Sequence, residues 1–188
     1  MHPILINQKN IYMEIVGKYS PEEWDTLSVL PMLIGTAMTA ASDSGFFGTA
    51  KEAFVSSQLQ NTVVEDIPQN ALIRAVIKRP ADFSEAKTQV SEQFARLKKL
   101  LNEEGAETPE AIKAVTIKKL KHLAENLMLK EEPSIAEAFQ KWLVAYAEKV
   151  ANAASEGGFL GFGGKKVSDA EQTFINEIKS SMGYNAFY

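Results

Sequence analysis

The sequence predicts an all-α protein, a helical bundle of about six or seven helices, and three observations predict it. Helix-start signals recur along the chain, and apolar residues return at helical spacing. Strand signals are nearly absent, since no alternating run is bracketed by hairpin turn residues. Only Ile11 to Val16 reads as a segment that could pair briefly as a strand.

Four capping boxes mark helix starts, each a Ser or Thr followed three residues later by Glu, so that each side chain can satisfy the other residue's free backbone N–H. They are Ser20-Pro21-Glu22-Glu23, Thr49-Ala50-Lys51-Glu52, Ser134-Ile135-Ala136-Glu137 and Ser168-Asp169-Ala170-Glu171. Pro21 stands in the favoured first helical position. Thr108-Pro109-Glu110 is a fifth start, and Asp82 or Ser84 caps a sixth helix.

The span Thr26 to Ser42 is weakly charged and marginal in length for a membrane crossing of ~20 residues, and it reads as a buried core helix. Pro68 and Pro80 bracket a short helix through Leu72, Ile73, Val76 and Ile77. Ala86, Val90, Phe94, Leu97 and Leu101 share one helical face, as do Ile112, Leu120, Leu123 and Leu127. The first of these helices stops at Gly105 and the second before Pro133. From Ile135 to Val150 the apolar arc is wide and rich in alanine, which predicts a central helix that its neighbours approach closely. Trp24 and Trp142 read as core anchors.

An internal repeat overlies this pattern. Ala40 to Gly48 and Ala153 to Gly161 share six identities in nine positions, and the second copy has six extra residues, Phe162 to Val167, before its capped helix. The predicted unit is a helix, a Gly/Phe loop and a capped helix, used twice, over roughly 20–60 and 134–183. Residues from about 66 to 131 form a helical insert between the copies, and 1–188 form a single domain.

Composition narrows the functional classes. Twenty Lys and Arg against 24 acidic residues give a net charge of −4 with no strongly basic run, which argues against nucleic acid. The chain has no cysteine, so disulfides, thiolate metal sites and cysteine nucleophiles are excluded, and a reducing, cytoplasmic setting fits. Met1 to Lys9 lacks the features of a signal peptide, so export is not expected. With only His2 and His122 and no Glu-x-x-His pair, no metal site, cofactor or catalytic constellation is assigned. His122, Lys113, Lys118, Lys119 and Lys121 read as a solvated face balanced by Glu125, Glu131 and Glu132.

The loops carry the candidate sites. Gly45, Phe46, Phe47 and Gly48, with Gly158, Phe159, Leu160 and Phe162, either fold their rings over the ends of the core or present an apolar surface to a protein partner or a second copy. Membrane-surface contact by the loops ranks below both, and no transmembrane segment is expected. Gly163, Gly164, Lys165 and Lys166 before the Ser168-capped helix gather backbone N–H groups, cations and a positive helix end, a combination able to hold an anion.

The segments Pro21-Glu22-Glu23-Trp24, Gly48-x-x-Lys51-Glu52, Gly157 to Gly164 and Val167-Ser168-x-x-Glu171 resemble those of an uncharacterised family of bacterial helical proteins of similar length. That resemblance implies the helical fold and no activity. The Val167-Ser168-x-x-Glu171 start is more distantly similar to tellurite-resistance B-like helical domains, whose loop acids are linked with metal binding. Their Asp-Gly pair is replaced here by Gly163-Gly164-Lys165-Lys166. The function expected is a non-enzymatic helical interaction module that contacts a partner through Gly/Phe loops or Ala-rich helix faces. The alternative is a stress-response protein that binds a small ligand or ion.

Overall fold

The computed structural model describes residues 12–41, 70–77, 82–156 and 167–183. These residues form seven helices and no strand: α1 (12–16), α2 (Pro21–Ala41), α3 (Ala71–Ile77), α4 (Phe83–Glu103), α5 (Pro109–Lys130), α6 (Pro133–Glu156) and α7 (Asp169–Ser181). The all-helical bundle is as the capping and periodicity signals predict. Residues 12–16, expected as a brief strand, are helical instead, with Gly17 N–H donating to the Met13 carbonyl at 3.0 Å.

The hub is α2. From Leu27 to Met38 nearly every side chain is buried, Pro31 included, and α3, α4, α5, α6 and α7 all pack against it. A helix apolar on every side can be stable in water only when neighbours cover it all round. The sequence pattern gives the centre to the alanine-rich helix, yet α6 is the second-ranking element. It packs against α2, α3, α5 and α7 and buries Phe139, Trp142, Leu143 and Tyr146 completely. Trp142 Nε1 has no hydrogen-bond partner among the described residues, a cost of about 1–3 kcal/mol that is set against the large area its ring removes from water. Ala136, Ala147 and Ala151 are wholly buried, which lets neighbouring helices approach this side of α6 closely.

Helix ends follow local chemistry. Ser20 and Glu23 form the predicted reciprocal box, with Ser20 N–H donating to Glu23 Oε2 at 2.7 Å and Glu23 N–H to Ser20 Oγ at 3.2 Å. Asp82 rather than Ser84 caps α4, and Thr108 caps α5. The Ser134 box does not form. Helix α6 starts one residue earlier at Pro133, whose fixed φ suits the first helical position and whose missing N–H needs no partner there.

The turn from α4 to α5 is a Schellman motif. Gly105 takes φ 64°, its N–H donates to the Asn102 carbonyl, and Ala106 N–H reaches back to the Leu101 carbonyl at 2.8 Å. This turn folds α5 back into the bundle, where it packs on α2, α6 and α7. The stretch expected as an insert is therefore part of the core. The repeat itself is not confirmed, because 42–69 and 157–166, which hold both Gly/Phe loops and the first capped helix, lie outside the described residues.

Gly105→Ala should lower stability by about 1–2 kcal/mol through the left-handed backbone alone, since a β-carbon there meets nothing within 4 Å. Urea unfolding checks this: the midpoint is expected to fall with an unchanged slope.

Candidate functional site

The sequence-derived site residues divide sharply. Gly45, Phe46, Phe47, Gly48, Gly158, Phe159, Leu160 and Phe162 lie outside the described residues, as do Gly163, Gly164, Lys165 and Lys166. Ser168 is described and fully engaged as a cap. Its Oγ accepts from Glu171 N–H at 3.2 Å and donates to Glu171 Oε2 at 2.8 Å, while its own N–H donates to the same carboxylate at 2.9 Å. The helix end therefore already holds an anionic group, Glu171, itself buried.

Ionic clusters tie the helices together. The Glu131 carboxylate has no solvent-exposed surface; it accepts from Tyr19 Oη at 2.8 Å and from Lys18 Nζ at 2.7 Å. Glu131 is thus a buried clamp between the α1–α2 and α5–α6 turns, not part of a solvated face as its neighbours in sequence suggest. Beside it Lys130 donates to Glu23 and sits 5.3 Å from the centre of the Tyr19 ring, which also packs on Trp24. Trp24 is half-buried between Tyr12 and Tyr19. At the other turn Glu104 receives Lys118 at 2.6 Å and Lys119 at 2.7 Å. His122 is solvent-exposed, 3.3 Å from Asn126. Among the described residues no group of three or more His, Asp or Glu side chains is placed to hold a metal ion.

Two carboxyls are held below their ordinary value near 4.5, Glu23 mainly by the hydrogen bond from Lys130 and Glu104 by those from Lys118 and Lys119. Burial, then the hydrogen bond to Glu131, pushes the Tyr19 hydroxyl well above 10.

Large apolar side chains are exposed at Met13 on α1, at Met128 and Leu129 near the end of α5, and at Phe83 and Phe94 on α4, the two aromatic ones. The buried residues of α4 are only Leu97 and Leu100, both in the C-terminal half, where Arg96 reaches Ser28 Oγ at 3.4 Å and Asp25 Oδ1 at 3.7 Å near the start of α2. Towards the N-terminus the cover thins: Phe83 is 75% exposed and Phe94 37%, with Val90 half-buried between them. At about 3.6 residues per turn, Phe83, Val90, Phe94 and Leu101 fall within about 40° of one another, but Val90 and Leu101 pack against the core and only Phe83 and Phe94 are exposed. Lys87 and Lys98 follow Phe83 and Phe94 at four residues each and lie on the adjoining arc, exposed. Beyond them Ser84, Thr88, Ser91 and Ala95 line a shallow depression together with the oppositely charged Lys87 and Glu92.

Sequence periodicity places Val90 and Phe94 on the core face and passes over Phe83. The available signal is the eleven-residue spacing of Phe83 to Phe94, which extends the apolar stripe to the first residue after the cap. No family model, curated protein or solved structure matches the chain. The resemblance to a bacterial helical family is thus carried by its quoted segments alone.

Tyr19→Phe should cost about 1–3 kcal/mol, because it leaves a buried carboxylate short of a donor. The pH dependence has two limbs. Glu23 and Glu104 have depressed folded-state values, so their contribution is present above the unfolded value near 4.5 and is lost as pH falls through the folded values. Tyr19 has a raised value, so its neutral form favours the fold, and stability declines once pH rises above 10. Urea midpoints measured across pH should show both limbs, and Glu104→Gln should flatten the acid one.

Proposed function

We propose that the chain is a non-enzymatic helical interaction module that docks a protein partner along the open face of α4. The observation that carries this reading is the pair of exposed rings Phe83 and Phe94, about three turns apart on α4. Burying such a ring removes apolar surface from water at about 25 cal/mol per Å², whereas leaving Phe83 in solvent contributes nothing to folding. The surface suits helix-in-groove recognition, with apolar anchors spaced by whole turns and a shallow depression beside them. The Gly/Phe loops, which lie outside the described residues, join this reading as a further contact region of the same module. The compartment it assigns is the cytoplasm, from a chain without cysteine. Among the described residues no helix is long and apolar enough to cross a membrane.

Photo-crosslinking from position 83 or 94 in cells tests the proposal. A discrete adduct is expected from either position and none from the exposed Glu177 on α7; equal labelling from all three would overturn it. Phe83→Ser should remove the adduct while changing stability by less than about 0.5 kcal/mol, as befits an exposed side chain with no folding role.

A further inference from the structure

Methionine carries all the sulfur in this chain, because cysteine is absent. The thioether is then the one sulfur group open to oxidation, and its first product, the sulfoxide, is polar where methionine is apolar. Where each methionine stands in the fold decides what an oxidant can do to the protein.

The described methionines fall into two classes. Met32 and Met38 on α2 and Met182 just past α7 are at most 4% exposed and belong to the core. Met13 on α1 is 60% exposed and Met128 near the end of α5 is 55% exposed, and neither is part of the core. Met1 lies outside the described residues.

We infer that Met13 and Met128 are oxidation sites of the folded protein, each taking one oxygen from a hydroperoxide, and that the fold withholds the three buried methionines from the same chemistry. The sulfur lone pair attacks one peroxide oxygen, so that an S–O bond forms and the O–O bond breaks. Sulfur gives up two electrons, and the other oxygen leaves with the proton as water or an alcohol. A sulfoxide at position 13 or 128 faces water and forces no polar group inward. At Met32 or Met38 it would bring a polar S–O group in among Leu33, Ile34 and Ala37, all without exposed surface, at a cost to the fold. Burial thus sets an order: the surface pair is oxidised with the bundle intact, and the buried three only through its opening. Sulfoxide reductases need the same access, so the surface pair is also the reversible one. This chemistry is independent of the docking face, since neither residue lies on α4.

Brief exposure of the native protein to hydrogen peroxide, followed by digestion and mass spectrometry of each peptide, tests the inference; cleavage after Lys9 separates Met1 from Met13. Met13 and Met128 should gain oxygen at least about ten-fold faster than Met32, Met38 and Met182, and in urea the difference should vanish. Protein oxidised at the surface pair should keep its urea midpoint. Met13→Leu with Met128→Leu, swaps of similar volume, should abolish the fast uptake outside Met1 and leave the slow sites slow. Comparable native rates at all five described positions would overturn the inference, as would a difference that persists in urea and so comes from local sequence. A lower urea midpoint after oxidation of the surface pair alone would overturn the claim that the fold tolerates it.

Discussion

Helix α2 constrains everything else in this molecule, because it has almost no face that tolerates water. Leu27, Val29, Leu30, Met32, Leu33 and Ile34 are each at most 2% exposed, and these positions together span more than half of the helix circumference. Each buried leucine or isoleucine contributes about 1.5–3 kcal/mol relative to exposure, and only a ring of helices can collect that contribution from every direction. Helices α5, α6 and α7 supply much of the ring with sequence-distant partners, while α4 covers the remaining side obliquely. Pro31 is tolerated inside α2 since burial on all sides outweighs the lost backbone hydrogen bond, worth with its steric clash about 3 kcal/mol.

The polar clusters act at the ends of this packing. Glu131 lies in the break between α5 and α6, where Pro133 biases the preceding residue away from helical backbone. Its carboxylate is buried there, and Tyr19 and Lys18 arrive from the α1–α2 turn to satisfy it. Such a pair is better evidence of a fixed arrangement than of net stability, because desolvation offsets much of the attraction. The Schellman turn and the Glu104 cluster fix the geometry of the α4–α5 hairpin in the same manner, with one backbone device and one ionic device acting within a few residues.

What the sequence reveals depends on how local the cause is. Caps at Ser20, Thr108 and Ser168, the stop at Gly105 and the burial of Thr26 to Ala41 are legible because each depends on residues three or four apart or on a continuous apolar run. Ser134 fails as a cap for a local reason too, since Pro133 competes for the same helix start and takes the first helical position. The burial of Glu131 is not legible, because its partner Tyr19 is 112 residues away and nothing near Glu131 distinguishes it from Glu132. The core face of α4 is legible through Val90, Leu97 and Leu101, and only Phe94 on it is exposed, because periodicity shows which side of a helix is apolar but not how far a neighbour reaches along it. Neither Gly/Phe loop enters this comparison, as both lie outside the described residues.

The position of the two exposed rings follows from the way α4 is anchored. Leu97 and Leu100 are buried, and Arg96 meets Asp25 and Ser28, so the C-terminal half is held against the start of α2 and its cover is fixed there. Along the N-terminal half the cover thins, and Phe83 at the first helical position projects beyond it. Phe83 is exposed in the unfolded chain as well as in the folded one, so its ring adds little to folding, and the packing of α4 is carried by Val90, Leu97, Leu100 and Leu101.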